Sequence, residues 1–118
     1  MRRGEIWMAR LPGEGVGSEQ FGQRPCLIVQ NNVGNMYSPT TIIACLTSRM
    51  GKTELPTHVK LHRHATGLKE DSLVLCEQLM TLDKTRLLEK IGQVVEGPMK
   101  EVDIAIQISI GLREVPRE

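Results

Sequence analysis

Residues 17 to 24, Gly17-Ser18-Glu19-Gln20-Phe21-Gly22-Gln23-Arg24, are mostly small and polar, and they run through Pro25 into the apolar stretch Cys26-Leu27-Ile28-Val29. This order holds an arginine at the mouth of a sheet. A guanidinium presents a rigid fork of donors that matches a phosphate or a carboxylate. Loops anchored on strands are also where binding and catalysis concentrate. By itself, the loop reads equally well as a polar hairpin with an incidental surface arginine. Two further polar clusters interrupt apolar runs: Thr47-Ser48 at the end of Thr40-Thr41-Ile42-Ile43-Ala44-Cys45-Leu46, and Glu77-Gln78 directly after Ser72-Leu73-Val74-Leu75-Cys76. Hydroxyls at a strand end are ordinarily turn residues. A carboxylate beside an amide where a strand is still half buried needs partners, and this invites a common site for all three clusters.

Other chemistries lose ground. His58, His62 and His64 supply enough imidazoles for a metal, but four residues of extended strand separate the first two by about 13 Å. That is too far to share an ion at ligand distances of roughly 2 Å, so they read as solvated histidines. The chain has no glycine-rich phosphate loop before a helix, no G-x-S-x-G elbow and no C-x-x-C pair, which argues against nucleotide hydrolysis and metal catalysis. Cys26, Cys45 and Cys76 lie in apolar runs. An odd number without metal spacing indicates buried, reduced thiols and a cytoplasmic protein.

The elements that must position these residues are short. With 118 residues and 40% hydrophobic content, a single domain spanning 1–118 with one core is expected. Aromatic residues make up only 3%, which excludes a sheet that stacks several bases. The net charge of +1 conceals a split: residues 1–70 carry nine Lys and Arg against five Asp and Glu, residues 71–118 six against nine. The first part therefore presents at most a modest basic face. Strands are predicted over 5–11, 25–29, 40–46, 57–62, 72–76 and 90–95, with turn-rich polar residues over 31–35 and a short helical turn within 82–88. Short strands at close intervals favour a small antiparallel barrel. One long helix opens at Gly97-Pro98 and runs to about Ile110. Its polar stripe of Lys100, Asp103 and Gln107 is narrow, leaving an apolar surface wider than one contact with a barrel needs. No signal peptide or membrane segment is evident.

Gly17-Ser18-Glu19-Gln20, Gly22, Arg24-Pro25, Gln30-Asn31, Ser38-Pro39-Thr40, Leu55-Pro56-Thr57-His58 and Glu77-Gln78-Leu79-Met80-Thr81-Leu82-Asp83 follow one another in an order that closely resembles the MazF/PemK toxins of bacterial toxin–antitoxin systems. The likeness runs from Gly4 to Leu112. It implies a mainly β protein with a C-terminal helix: the SH3-like antiparallel barrel shared by MazF, CcdB and Kid. It further implies a homodimer and a metal-independent, cofactor-free endoribonuclease that cleaves single-stranded RNA at short motifs. A cognate antitoxin would neutralise it by laying its C-terminal segment in the RNA groove. The family's catalytic arginine and threonine fall on Arg24 and Thr47. Its RNA-contacting positions fall on Ser18, Glu19, Gln20, Leu55, Pro56, His58, Glu77 and Gln78. Phe21 departs from the glycine usual in similar members, which makes it a candidate to stack on a base or to restrict the loop.

Metal-free cleavage of this kind uses the RNA 2′-hydroxyl as nucleophile and leaves a 2′,3′-cyclic phosphate and a 5′-hydroxyl. Arg24 and the Thr47 hydroxyl suit the charge that gathers on the phosphorane. A guanidinium stays protonated and is a poor general base, so Glu19 is the candidate base, with base reading as its alternative role. Two alternatives share the fold: a CcdB-like inhibitor of DNA gyrase, and a non-catalytic SH3-like binding module.

Overall fold

Side-chain alternation along the central strands sorts the apolar residues into two cores. The computed structural model describes residues 1–17, 19–51 and 55–115. In chain order it contains β1 (Glu5–Leu11), β2 (Gly22–Ile28), α1 (Asn32–Tyr37), β3 (Thr40–Thr47), β4 (His58–Leu61), α2 (Arg63–Thr66), β5 (Ser72–Asp83), a 3-10 turn (Lys84–Arg86), β6 (Leu87–Gln93) and α3 (Glu96–Ser109). The strands form one antiparallel sheet in the order β4-β5-β3-β2-β1-β6. Ile6, Leu27, Ala44, Leu46 and Val74 point to one face, where Met99, Val102 and Ala105 of α3 cover them. Ala9, Cys26, Ile28, Ile43, Cys45 and Leu82 build a second core on the other face. Alternate coverage of the two faces thus explains why the second half of β2, Cys26-Leu27-Ile28, is apolar without interruption: both faces are covered there, whereas Gln23 and Arg24 are exposed.

The expected barrel is not closed by hydrogen bonds, because β4 and β6 are the two ends of the ladder. Packing brings these edges together instead. A Cβ on Gly67, just after α2, would stand 2.7 Å from the Ile91 carbonyl oxygen, and one on Gly92 would overlap the Thr66 carbonyl oxygen. Glycine at both positions lets the α2 turn lie directly on β6.

Several boundaries differ from the sequence reading. The polar residues 31–35 begin a helix, because the Asn31 side chain caps α1 by accepting the Gly34 N–H at 2.8 Å. The strand expected at 57–62 is β4, His58–Leu61, and His62 ends it to become the N-cap residue of α2. The largest difference is in β5, which continues through Glu77-Gln78 to Asp83. Its register on β3 jumps from Ala44↔Leu79 to Cys45↔Leu75, so Cys76, Glu77 and Gln78 bulge out between paired residues. A bulge tolerates polar residues inside an otherwise buried strand, which is why the strand appears to stop at Cys76 in the sequence. The expected helical turn narrows to Lys84–Arg86, and the last strand begins earlier, at Leu87. In α3, Met99, Val102 and Ala105 are buried, whereas Ile104 and the C-cap residue Ile110 remain exposed.

Candidate active site

The β2–β3 register brings the first two candidate groups together. Cys26 lies opposite Cys45. Carried two residues further along each antiparallel strand, this register sets Arg24 across from Thr47, on the face of the two thiols. Arg24 lies inside β2 rather than at the end of the preceding loop. Its Nε donates to the Phe21 carbonyl oxygen at 3.2 Å, which folds the loop back toward the strand. The other N–H groups of this exposed guanidinium make no hydrogen bond among the described residues. Thr47 Oγ1 accepts the Arg49 N–H at 3.1 Å. That leaves the hydroxyl proton to donate.

Arg24 and Thr47 line a groove of about 660 Å³ together with Glu19, Gln20, Phe21, Leu55, His58, Glu77 and Gln78, which are drawn from four separate segments. The bulge in β5 supplies the Glu77-Gln78 wall, and the glycine-rich loop supplies the facing one. Gln20 N–H donates to Gln78 Oε1 at 3.1 Å and ties the two walls together. Phe21 is 45% exposed, and its ring occupies the space over Gly15 where a side chain would otherwise stand. Glu19 Oε1 accepts the Val16 N–H at 2.9 Å.

Glu77 is held from two sides. Its Oε1 accepts the Thr57 hydroxyl at 2.9 Å, and its Oε2 lies 3.1 Å from His58 Nε2. The Leu55 N–H donates to His58 Nδ1 at 3.2 Å. This occupies the Nδ1 lone pair, so Nε2 carries the proton and donates to Glu77. His58 therefore orients a carboxylate and is not a solvated histidine; its side chain keeps only 12% exposure. His62 and His64 are exposed, as expected. Among the described residues, no three His, Cys, Asp or Glu side chains are grouped to hold a metal ion.

Of the expected positions, one is not described and one falls elsewhere. Ser18 lies outside the described residues. Pro56 faces a separate shallow cleft beside Glu101 and Ile104 of α3. Two participants were missed in the sequence. Arg49 lines the groove and gives it a second cation; its only signal was its place two residues after Thr47. Thr57, a partner of Glu77, stood unremarked inside the Leu55-Pro56-Thr57-His58 motif.

The three cysteines are buried and free. Burial pushes the Cys26 thiol up to about 12, with Cys45 across the strand adding to it. Cys76 is raised to about 12 and Cys45 to about 11, again chiefly by burial. They act as small packing groups, Cys26 and Cys45 in the core on the face of Arg24 and Thr47 and Cys76 in the core covered by α3, and not as nucleophiles.

A bent antiparallel sheet backed by a C-terminal helix, with a polar cleft where two strands present an arginine and a threonine, defines a small barrel-type protein with its site at the sheet mouth. The chain belongs to the PemK-like, MazF-like toxins of type II toxin-antitoxin systems, a family that matches residues 2–110. It is 48% identical over 116 residues to the endoribonuclease MazF of Staphylococcus saprophyticus, covering 98% of this chain and 95% of that one. Among solved structures it is similar to MazF from Deinococcus radiodurans, with a TM-score of 0.78 at 22% identity, covering 94% of this chain and 96% of that chain. A mycobacterial endoribonuclease solved with its cognate antitoxin aligns with a TM-score of 0.72 at 25% identity, covering 96% and 97%. No helix among the described residues is long and apolar enough to cross a membrane.

Proposed function

We propose that this chain is a metal-independent endoribonuclease toxin that cuts single-stranded RNA at a phosphate held between Arg24 and Thr47. The observation that carries the reading is convergence: Glu19, Gln20, Phe21 and Arg24, Thr47, Leu55, His58 and Glu77-Gln78 come from separate parts of the chain yet line one groove. Family membership and the 48% identical endoribonuclease relative support the same activity.

In this mechanism the RNA 2′-oxygen attacks the adjacent phosphorus, its proton passes to Glu19, and the bond from phosphorus to the 5′-oxygen breaks as that oxygen takes a proton from water and leaves as the 5′-hydroxyl; Glu19 returns its proton to the hydroxide so formed. Arg24 and the Thr47 hydroxyl donate to the phosphorane oxygens, where preorganised donors contribute most. Glu77, locked by Thr57 and His58, presents its remaining lone pairs to the donor edge of a base. Gln20, Gln78, Leu55 and Phe21 bound the same surface. Ser18 and Pro56 are proposed as flanking contacts on the resemblance alone. DNA lacks the 2′-hydroxyl and is spared.

The protein is further proposed to be a single-domain, cytoplasmic homodimer neutralised by an antitoxin whose C-terminal segment fills the groove. The mycobacterial neighbour solved with its antitoxin supports such a partner, and exposed Ile104, Ile110 and Leu112 at the end of the chain offer apolar surface for association. The test is incubation with a long RNA in EDTA, followed by mapping of 5′-hydroxyl ends. Discrete cuts with 2′,3′-cyclic phosphates are expected. Intact RNA accompanied by gyrase inhibition would overturn the reading.

A further inference from the structure

Arg24 and Thr47 line two clefts, and among the described residues they are the only ones shared by both. On their far side from the groove lies a second cleft of about 450 Å³. Leu46, Leu68 and Ile91 give it apolar surface, and Lys69 and Lys90 stand on its walls. A phosphodiester carries a nucleotide on each side. A bond held at Arg24 and Thr47 therefore sends one half of the strand into the groove and directs the other half toward this cleft.

We propose that the second cleft binds the single-stranded RNA segment on the opposite side of the scissile phosphate from the groove, with Lys69 and Lys90 contacting a flanking phosphate; this rests on the RNA-cleavage reading above. The cleft has a built wall, because the backbone around Gly67 lies against Ile91 and Gly92 with no space for a Cβ. Lys69 is exposed. Lys90 Nζ lies 3.4 Å from Glu5 Oε2 with 45% of its side chain exposed, an ion pair weak enough to yield to a phosphate. Glu70 and Glu89 line the same cleft, so three cations with Arg24 face two carboxylates. That balance suits a single flanking phosphate and a base resting on apolar surface, and it disfavours a dense polyanion.

The test uses the full chain and oligoribonucleotides centred on one mapped cleavage site, lengthened by one to four nucleotides on either side. Extension on one side is expected to raise kcat/KM by about tenfold, the size of one well-packed base. Lys69→Glu should bring the ratio between extended and truncated substrates close to one and reduce the salt slope of binding by about 0.7. Lys100→Glu, the same charge change on α3, should leave that ratio as in the wild type. An unchanged ratio in Lys69→Glu overturns the proposal. If that result comes with a shifted subunit dissociation concentration, a second copy of the chain covers the cleft instead. Failure to cut any RNA at all overturns the underlying reading, and this one with it.

Discussion

Two polar clusters in this molecule resemble each other in composition and differ in how fully their hydrogen bonds are used. Around Asn35 every side-chain capacity is filled. Its Nδ2 donates to the Gln30 carbonyl at 2.9 Å and to Asn32 Oδ1 at 3.2 Å, and its Oδ1 accepts from Gln30 Nε2 at 3.1 Å and Thr41 Oγ1 at 2.8 Å. The Lys84 ammonium donates to the Asn35 carbonyl. Asn35 and Thr41 are both buried. The groove is the opposite: Arg24 spends one of its donors on the protein, Thr47 keeps its proton to give, and the buried Gln20 Oε1 has no partner among the described residues. A closed network specifies a fold, whereas an open one has valence left for a ligand.

Substitutions should separate the two clusters cleanly. The largest effect is expected from Arg24→Ala: RNA cleavage should fall by about 10² to 10³-fold, measured by single-turnover kinetics, while the midpoint of thermal unfolding stays near that of the wild type. Cleavage at the wild-type rate would remove Arg24 from the mechanism. Asn35→Ala should do the reverse, costing about 2 kcal/mol of stability in urea unfolding by orphaning buried groups, with the rate per folded molecule retained. Glu77→Gln comes next, because it exchanges a charged acceptor for a neutral one. RNA binding should weaken by about 1.5 kcal/mol, roughly tenfold, and little change in a titration with catalytically inert RNA would show that Glu77 reads nothing.

A last effect, confined to alkaline pH, concerns the three buried thiols. In the unfolded chain they ionise near their ordinary value of 9.0, whereas in the fold they hold their protons to about 11 or 12. Above pH 9 the unfolded state therefore binds fewer protons, so this contribution is full below about pH 9 and is lost as pH rises toward 12. Urea midpoints should decline over that window, and less steeply in a Cys26→Ala variant. An identical slope in the variant would count against burial as the cause.

Much of the site was legible because its residues sit at interruptions in apolar runs. Arg24 before Cys26-Leu27-Ile28, Thr47 after Leu46 and Glu77 after Cys76 each break a hydrophobic pattern, and a break in a pattern can be read locally. The capped start of α1 was missed because Asn31 and Gly34 suit a turn and a helix start equally well. The continuation of β5 was missed because a bulge is defined by its partner strand, and that partner lies some thirty residues earlier in the chain.

Residue types and their alternation, by themselves, determined that this chain builds strands buried on both faces, a C-terminal helix and a guanidinium ahead of an apolar strand, since those follow from local sterics and hydrophobic period. Only the tertiary structure decided that Arg24 faces Thr47, that His58 donates to Glu77, that Pro56 turns away and that Arg49 joins the groove. Those outcomes depend on strand register and on one bulge. A shift of a single residue in either would reverse which face each side chain occupies, and no local pattern records that choice.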